Sequence, residues 1–350
     1  MAAGASLRVR RAAPAGGAFS AGVGCSVLSA AGDRSQPFAA DRFAFLMSRF
    51  YGIDASVYIF QAYFARQARH VSEQGFPLNA LEGYLETLLK FLHSERPAHV
   101  LIAFDESLGR GYRERLYPAY KSRRVLPDEA LAYQLRACRR LSEALGLYCH
   151  AEAEFEADDI LASAARQARE QRLAVTIVSR DKDLAQLLCA DADRLWHFGS
   201  APRSAEDWRR ERGVACERVA DFLAVAGDAV DDIPGLKGVG EKTAKVIFEH
   251  YPSLEAIYRD LDGLAALPVR GAKDLRDKFA NAREKLFLFR QLCRLRDDLA
   301  LPGFEQVALR KPAVDDWMGQ GEALGLSANY LYTLQSRYPR AFVAPTGPKS

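Results

Sequence analysis

The sequence predicts an α/β domain with a mostly parallel central sheet flanked by helices, followed by a mainly helical region. Three observations lead there. Residues 99–105 (HVLIAFD) and 173–179 (LAVTIVS) are near-continuous apolar runs, the pattern of strands covered on both faces. Segments with apolar residues at helical spacing alternate with these runs, as in a parallel α/β sheet. After about residue 205 strand signals fade and helical periodicity takes over.

Taken in order, residues 50–54 read as a short strand and 57–69 as the helix that follows. Residues 78–92 have helical spacing, and 99–105 form the first buried strand. A polar, basic stretch covers 110–128 and leads into a helix through about Leu145. Another helix runs from about Ala157 to Arg169, 173–179 is a buried strand, and 194–198 a further strand candidate. A Gly/Pro-punctuated turn spans 233–240, and 273–295 reads as a long amphipathic helix. The tail is expected to fray from Ala341. This divides the chain into an extension (1–46), an α/β core (47–204), a helical region (205–310) and a C-terminal helical segment with tail (311–350).

Composition narrows the function classes. The hydrophobic fraction of 49% and charged fraction of 27% are those of an ordinary soluble globular protein. No apolar run is long enough to suggest a membrane span, and a cytoplasmic monomer is expected. The net charge is +3, and residues 1–46 supply all of it through Arg8, Arg10, Arg11, Arg34 and Arg42 against Asp33 and Asp41. Overall charge is therefore silent about nucleic acid. The Ala/Gly/Ser/Arg-rich extension reads as disordered or non-native. An organellar import signal and a true start at Met47 are its alternatives. The six cysteines and six histidines are scattered without zinc spacing, so any metal must be held by carboxylates.

Carboxylates recur where strands end. Asp54 and Asp105 each close a predicted strand, and Asp181 and Asp183 follow another. Glu156, Asp158 and Asp159 open a helix, and Asp228 and Asp231 stand at i, i+3. Each acid alone is explained equally well as a cap or turn residue. Nine together would repel at one sheet edge unless cations neutralised them. Mg²⁺ and Mn²⁺ prefer oxygen ligands, and two such ions can clamp the attacking and leaving oxygens of a phosphodiester.

Two further stretches carry charge that suits nucleic acid. Arg110, Arg113, Arg115, Lys121, Arg123 and Arg124 are interleaved with Tyr112, Tyr117 and Tyr120. That mixture suits a single strand whose bases stack on the rings, or else a solvated charged loop. Gly235, Gly238 and Gly240, with Lys237, Lys242, Thr243 and Lys245, precede an apolar-periodic helix. Such a turn either brings backbone N–H groups to a phosphate or simply caps a helix.

The motifs Ile53-Asp54, Phe104-Asp105, Glu156-Ala157-Asp158-Asp159, Ser179 to Leu184 (SRDKDL) and Gly227 to Ala244 (GDAVDDIPGLKGVGEKTA), in this order, closely resemble the 5′-nuclease (flap endonuclease) family. The likeness covers roughly residues 49–300. It points to the branch containing the 5′-3′ exonuclease domain of bacterial DNA polymerase I and its free-standing relatives. It implies a PIN-like core, a helical arch around 110–130 and a helix–three-turn–helix after residue 205.

The likeness also implies that Asp54, Asp105, Glu156, Asp158 and Asp159 line a first metal site. Asp181, Asp183, Asp228 and Asp231 would line a second, with Asp158 a candidate for both. Arg113, Tyr120, Lys121 and Arg124 would act on the substrate, the two cations at the scissile phosphate and Tyr120 stacked on the terminal nucleotide. A K⁺ ion would sit at the helix–three-turn–helix. The implied activity is sequence-independent hydrolysis at 5′ ends, nicks, gaps or flaps of DNA in replication and repair. A PIN-like ribonuclease and a non-catalytic DNA-binding protein are the alternatives. The residues after about 300 leave too little chain for a polymerase. Four departures from the family pattern stand out. Gln61 occupies a usually basic position, Arg180 a usual Gly and Asp232 a usual Asn, while Glu106 adds an acid beside Asp105.

Overall fold

A computed structural model describes residues 49–107 and 109–343. The readings of residues 1–46 and of Met47 lie outside these described residues. Strand β1 (Arg49–Asp54) runs directly into α1 (Ala55–Ala65), and α2 (Asn79–Glu95) leads to β2 (His99–Asp105). The short α3 (Tyr112–Leu116) and α4 (Glu129–Ala144) precede β3 (Tyr148–Glu152). Then come α5 (Ala157–Glu170), β4 (Ala174–Val178) and β5 (Arg194–Trp196). The remainder is helical: α6 (Ala205–Arg212), α7 (Val219–Ala226), α8 (Glu241–His250), α9 (Leu254–Arg259), α10 (Ala272–Cys293), α11 (Val314–Ala323) and α12 (Ala328–Arg337).

All five strands pair in parallel, in the order β3-β2-β1-β4-β5. The order reverses between β1 and β4, and a reversal of this kind opens a crevice at the carboxyl ends of the strands. Asp54 closes β1, Asp105 closes β2 and Asp181 follows β4, so the three central strands deliver acids to that one edge.

Strand alternation divides the core into two layers. Phe50, Leu101, Ala103, Val175 and Ile177 pack with α5, α7, α8 and α10. Ile53, Val100, Ile102, Phe104 and Val178 pack with α1, α2 and α4. The carboxyl edge is thereby held between two buried layers.

Several elements differ from expectation. The first helix stops at Ala65, not Arg69, because the Asn79 amide donates to the carbonyls of Tyr63 (2.7 Å) and Arg66 (3.2 Å) and ties off its last turn. Strand β3 was not foreseen. In residues 110–130, α3 is the one helix before α4 begins at Glu129, and the rest is a turn over residues 118–123 and irregular chain. The described start of the tail, residues 341–343, does not fray. Ala341 and Phe342 are buried, with the Phe342 ring 4.9 Å from that of Trp317. Arg180 is not among the residues with positive φ, so its turn needs no glycine.

Candidate active site

The carboxylates gather at the sheet edge in two adjoining groups. Asp54, Asp105, Glu156, Asp158, Asp181 and Asp231 line one cavity of about 480 Å³ together with Lys121 and Arg124. Asp183 and Asp228 line a neighbouring cavity of about 700 Å³ with Lys182. Asp181 and Asp231 link the groups, since both act electrostatically on Asp183.

The strand-to-helix junction positions Asp54. Its Oδ1 accepts from the backbone N–H of Ser56 (3.0 Å), capping α1, and its Oδ2 accepts from the Ser179 hydroxyl (2.9 Å). Burial, with Asp181 and Asp105 nearby, pushes its pKa up to about 6. Burial also raises Asp158 well above the carboxylate range, helped by Asp181 and Asp54. Asp183 is raised by burial and by Asp181 and Asp228. Asp105 goes the other way. Burial opposes its charge, yet Arg124 (3.0 Å) and the Ser107 hydroxyl (2.8 Å) hold it below the usual range.

Cations of the chain itself offset part of this negative charge. Lys121 Nζ lies 2.6 Å from Glu156 Oε1 and 3.7 Å from Asp231 Oδ1, and Lys182 Nζ lies 2.8 Å from Asp228 Oδ2. Burial works against the Lys121 charge, but Glu156 and Asp231 keep it protonated. Lys121 has a left-handed backbone (φ 47°), and its N–H donates to the Asp231 carbonyl at 3.1 Å. A non-glycine residue held in that region is fixed by its surroundings. Asp232 is also left-handed (φ 56°), and it pairs with Arg123 through both backbone and side chain. The added charge at Asp232 is therefore neutralised locally. These contacts fasten the basic segment to the loop after α7.

Four expected roles are corrected. Asp159 lines neither cavity; it is fully buried, with Oδ2 2.5 Å and Oδ1 2.7 Å from the Arg113 guanidinium, and Oδ1 also accepts from Arg296 N–H (2.8 Å). Arg113 is buried with it and also donates to the carbonyls of Leu292 (2.8 Å) and Arg294 (3.1 Å). It is a brace between α3, α5 and the end of α10. The Tyr120 ring is buried and cannot stack on a base; its hydroxyl donates to Glu156 Oε2 (3.0 Å) and lies 3.1 Å from Asp231 Oδ2. Gly235 (φ 67°) serves internal packing, because a Cβ there would lie 2.4 Å from the Gly227 nitrogen. Sequence reasoning also missed Ser179 and Ser107, which orient Asp54 and Asp105. Only their position beside strand-end acids could have flagged them.

Among the described residues, no three or more His, Cys, Asp or Glu side chains already form a metal cage. The donor set nevertheless suits a hard divalent cation. It consists of carboxylate oxygens, burial and mutual repulsion disfavour the charge of several members, and Asp183 Oδ1 is buried without a hydrogen-bond partner.

The Gly-rich turn leads into α8. Gly240 precedes the helix with no side-chain cap, so its first N–H groups are open. Lys237 and Lys242 are exposed, Thr243 is half-buried, and Lys245 pairs with Glu241 at 3.0 Å.

Two family models match the chain: the 5′-3′ exonuclease N-terminal resolvase-like domain over residues 49–213, and the 5′-3′ exonuclease C-terminal SAM fold over 214–315. The chain is 34% identical over 256 residues to a DNA polymerase I of Rhizobium leguminosarum, covering 71% of this chain and 24% of that one. It thus spans about a quarter of the length of the polymerases it matches. It is 32% identical over 219 residues to a 5′-3′ exonuclease of Aquifex aeolicus, covering 61% of this chain and 73% of that one. A solved flap endonuclease of bacteriophage T5, in a complex with DNA and metal ions, has the same fold. Its TM-score is 0.56 at 18% identity, over 84% of this chain and 98% of that one. No helix of the described residues is long and apolar enough to cross a membrane. The chain belongs to the 5′-3′ exonuclease family.

Proposed function

We propose that this chain hydrolyses phosphodiester bonds at 5′ ends or flaps of DNA, using divalent cations held by Asp54, Asp105, Glu156, Asp158, Asp181, Asp183, Asp228 and Asp231. The observation that carries this is the convergence of six of these carboxylates and two cationic side chains on one cavity at the carboxyl edge of the sheet. When bound, a pair of Mg²⁺ or Mn²⁺ ions supplies an activated water and stabilises the leaving oxygen.

The rest is work for the chain. Lys121 and Arg124, paired here with Glu156 and Asp105, would direct their charge to the phosphate oxygens once those carboxylates held the cations. Ser179 and Ser107 keep Asp54 and Asp105 in place during that exchange. The buried Arg113–Asp159 pair keeps the base of α5 fixed, and with it Glu156 and Asp158. Water oxygen bonds to phosphorus and the P–O3′ bond breaks. The retained strand is left with a 5′-phosphate and the released piece with a 3′-hydroxyl. Duplex beyond the cut is held at the Gly-rich turn through phosphates, without reading bases.

The test is product analysis on 5′-flapped, gapped, nicked and blunt DNA, and on single-stranded RNA, with Mg²⁺, Mn²⁺ or chelator. Metal-dependent release of 3′-hydroxyl pieces from the 5′ end of DNA is expected. Preferential cutting of the RNA would overturn the reading in favour of a ribonuclease.

A further inference from the structure

We infer that Lys278 on α10 is a phosphate-backbone contact for duplex DNA, completing the anchor at the Gly-rich turn from a helix far along the chain; this rests on the DNA-binding reading above. Gly238 in the turn has φ 79°, and a Cβ built there would lie 3.2 Å from Lys278 Nζ and 4.0 Å from its Cε. The ammonium thus sits directly over the turn's backbone. The position follows from the packing of α10. Leu275 and Phe279 bury their side chains in the core, and Lys278, on their flank, is half-buried with its ammonium reaching the turn.

The electrostatics then ask for an anion. Lys278 has no carboxylate partner among the described residues, and neither do Lys237 and Lys242. Lys245, which the sequence grouped with them, is tied to Glu241. Three unpaired ammonium groups on and around the uncapped start of α8 repel one another and the positive helix end. A charged group that is half-buried with no counter-ion gains most when a ligand supplies one. A helix start, a turn backbone and a lysine from a third element present a surface wider than one phosphate. A duplex backbone, with its repeated phosphates, matches that surface better than a single small anion does.

The experiment measures binding of a nicked, 5′-flapped DNA duplex to the full chain by fluorescence anisotropy, in chelator to prevent cleavage, across a KCl series. Lys278→Met keeps the apolar stem and removes the charge. It is expected to weaken binding roughly tenfold and to lower the slope of log K against log salt by about 0.9, the value of one phosphate contact. Lys278→Arg should restore most of both. Lys311→Met is the control for net charge. Lys311 follows Arg310, whose N–H donates to the Gly146 carbonyl just before β3, at the amino-terminal end of the strands and away from the carboxylate edge. Lys242→Ala reports on the turn itself. A shift in Lys242→Ala without one in Lys278→Met overturns the role of Lys278 and leaves the turn as anchor. No shift in either variant overturns the anchor reading as a whole. An equal shift in Lys311→Met shows a general charge effect and also overturns the inference.

Discussion

The carboxylate edge and the Gly-rich turn handle charge in opposite ways. At the edge, internal cations already offset the acids: Lys121 lies on Glu156, Arg124 on Asp105 and Lys182 on Asp228. At the turn, Lys237, Lys242 and Lys278 stand without anions among the described residues. On the proposed function, the edge would exchange partners before reacting, whereas the turn would bind as it stands. Docking at the turn can therefore precede assembly of the reacting centre, and removing either function should leave the other measurable.

The largest expected effect breaks the first half of that comparison. Asp181→Ala or Asp105→Ala should lower turnover on flapped DNA by on the order of a thousandfold. Binding in chelator should stay within about threefold of wild type, a free-energy change near 0.6 kcal/mol. Near-wild-type cleavage by either variant with Mg²⁺ would remove that residue from the site.

The next effect is on stability. Arg113→Met should leave Asp159 buried and uncompensated, costing about 3–5 kcal/mol in urea unfolding. Arg124→Met, at the exposed rim, should cost no more than about 1 kcal/mol. Equal losses would erase the distinction between buried brace and active-site cation.

A smaller effect concerns pH. Burial raises Asp54 from 3.8 to about 6. For an acid raised in the folded state, the favourable contribution is complete below the unfolded value and is lost as pH rises through the folded one. The metal-free protein should therefore lose this contribution between about pH 4 and 6, and bound Mg²⁺ should offset the loss. The gain in Tm from Mg²⁺ should then be greater near pH 8 than near pH 5.5. An equal gain at both would detach Asp54 from metal binding.

Much of this was legible in the sequence because the buried strands are nearly continuous apolar runs whose ends carry acids. Asp54, Asp105 and Asp181 could be placed at one edge from that pattern alone. Strand β3 escaped because Tyr148-Cys149-His150-Ala151-Glu152 has no apolar run, and as an edge strand it pairs only with β2. The burial of Arg113 escaped for a different reason. In an Arg- and Tyr-rich stretch it looks like its solvated neighbours, and its partner Asp159 is 46 positions away. Tyr120 was misread in the same way, since Glu156 and Asp231 reach its hydroxyl only in the folded chain. Lys278 could not be found at all, because nothing local connects α10 to a glycine forty residues earlier.

The claim beneath all of this is that separate carboxylates act as one divalent-cation site. Titrating Mn²⁺ into wild type and Asp181→Asn, with free ion followed by electron paramagnetic resonance, tests it without reference to cleavage. Saturable binding by wild type that is lost or much weakened in Asp181→Asn is the predicted result. Equal binding by the two proteins would contradict it.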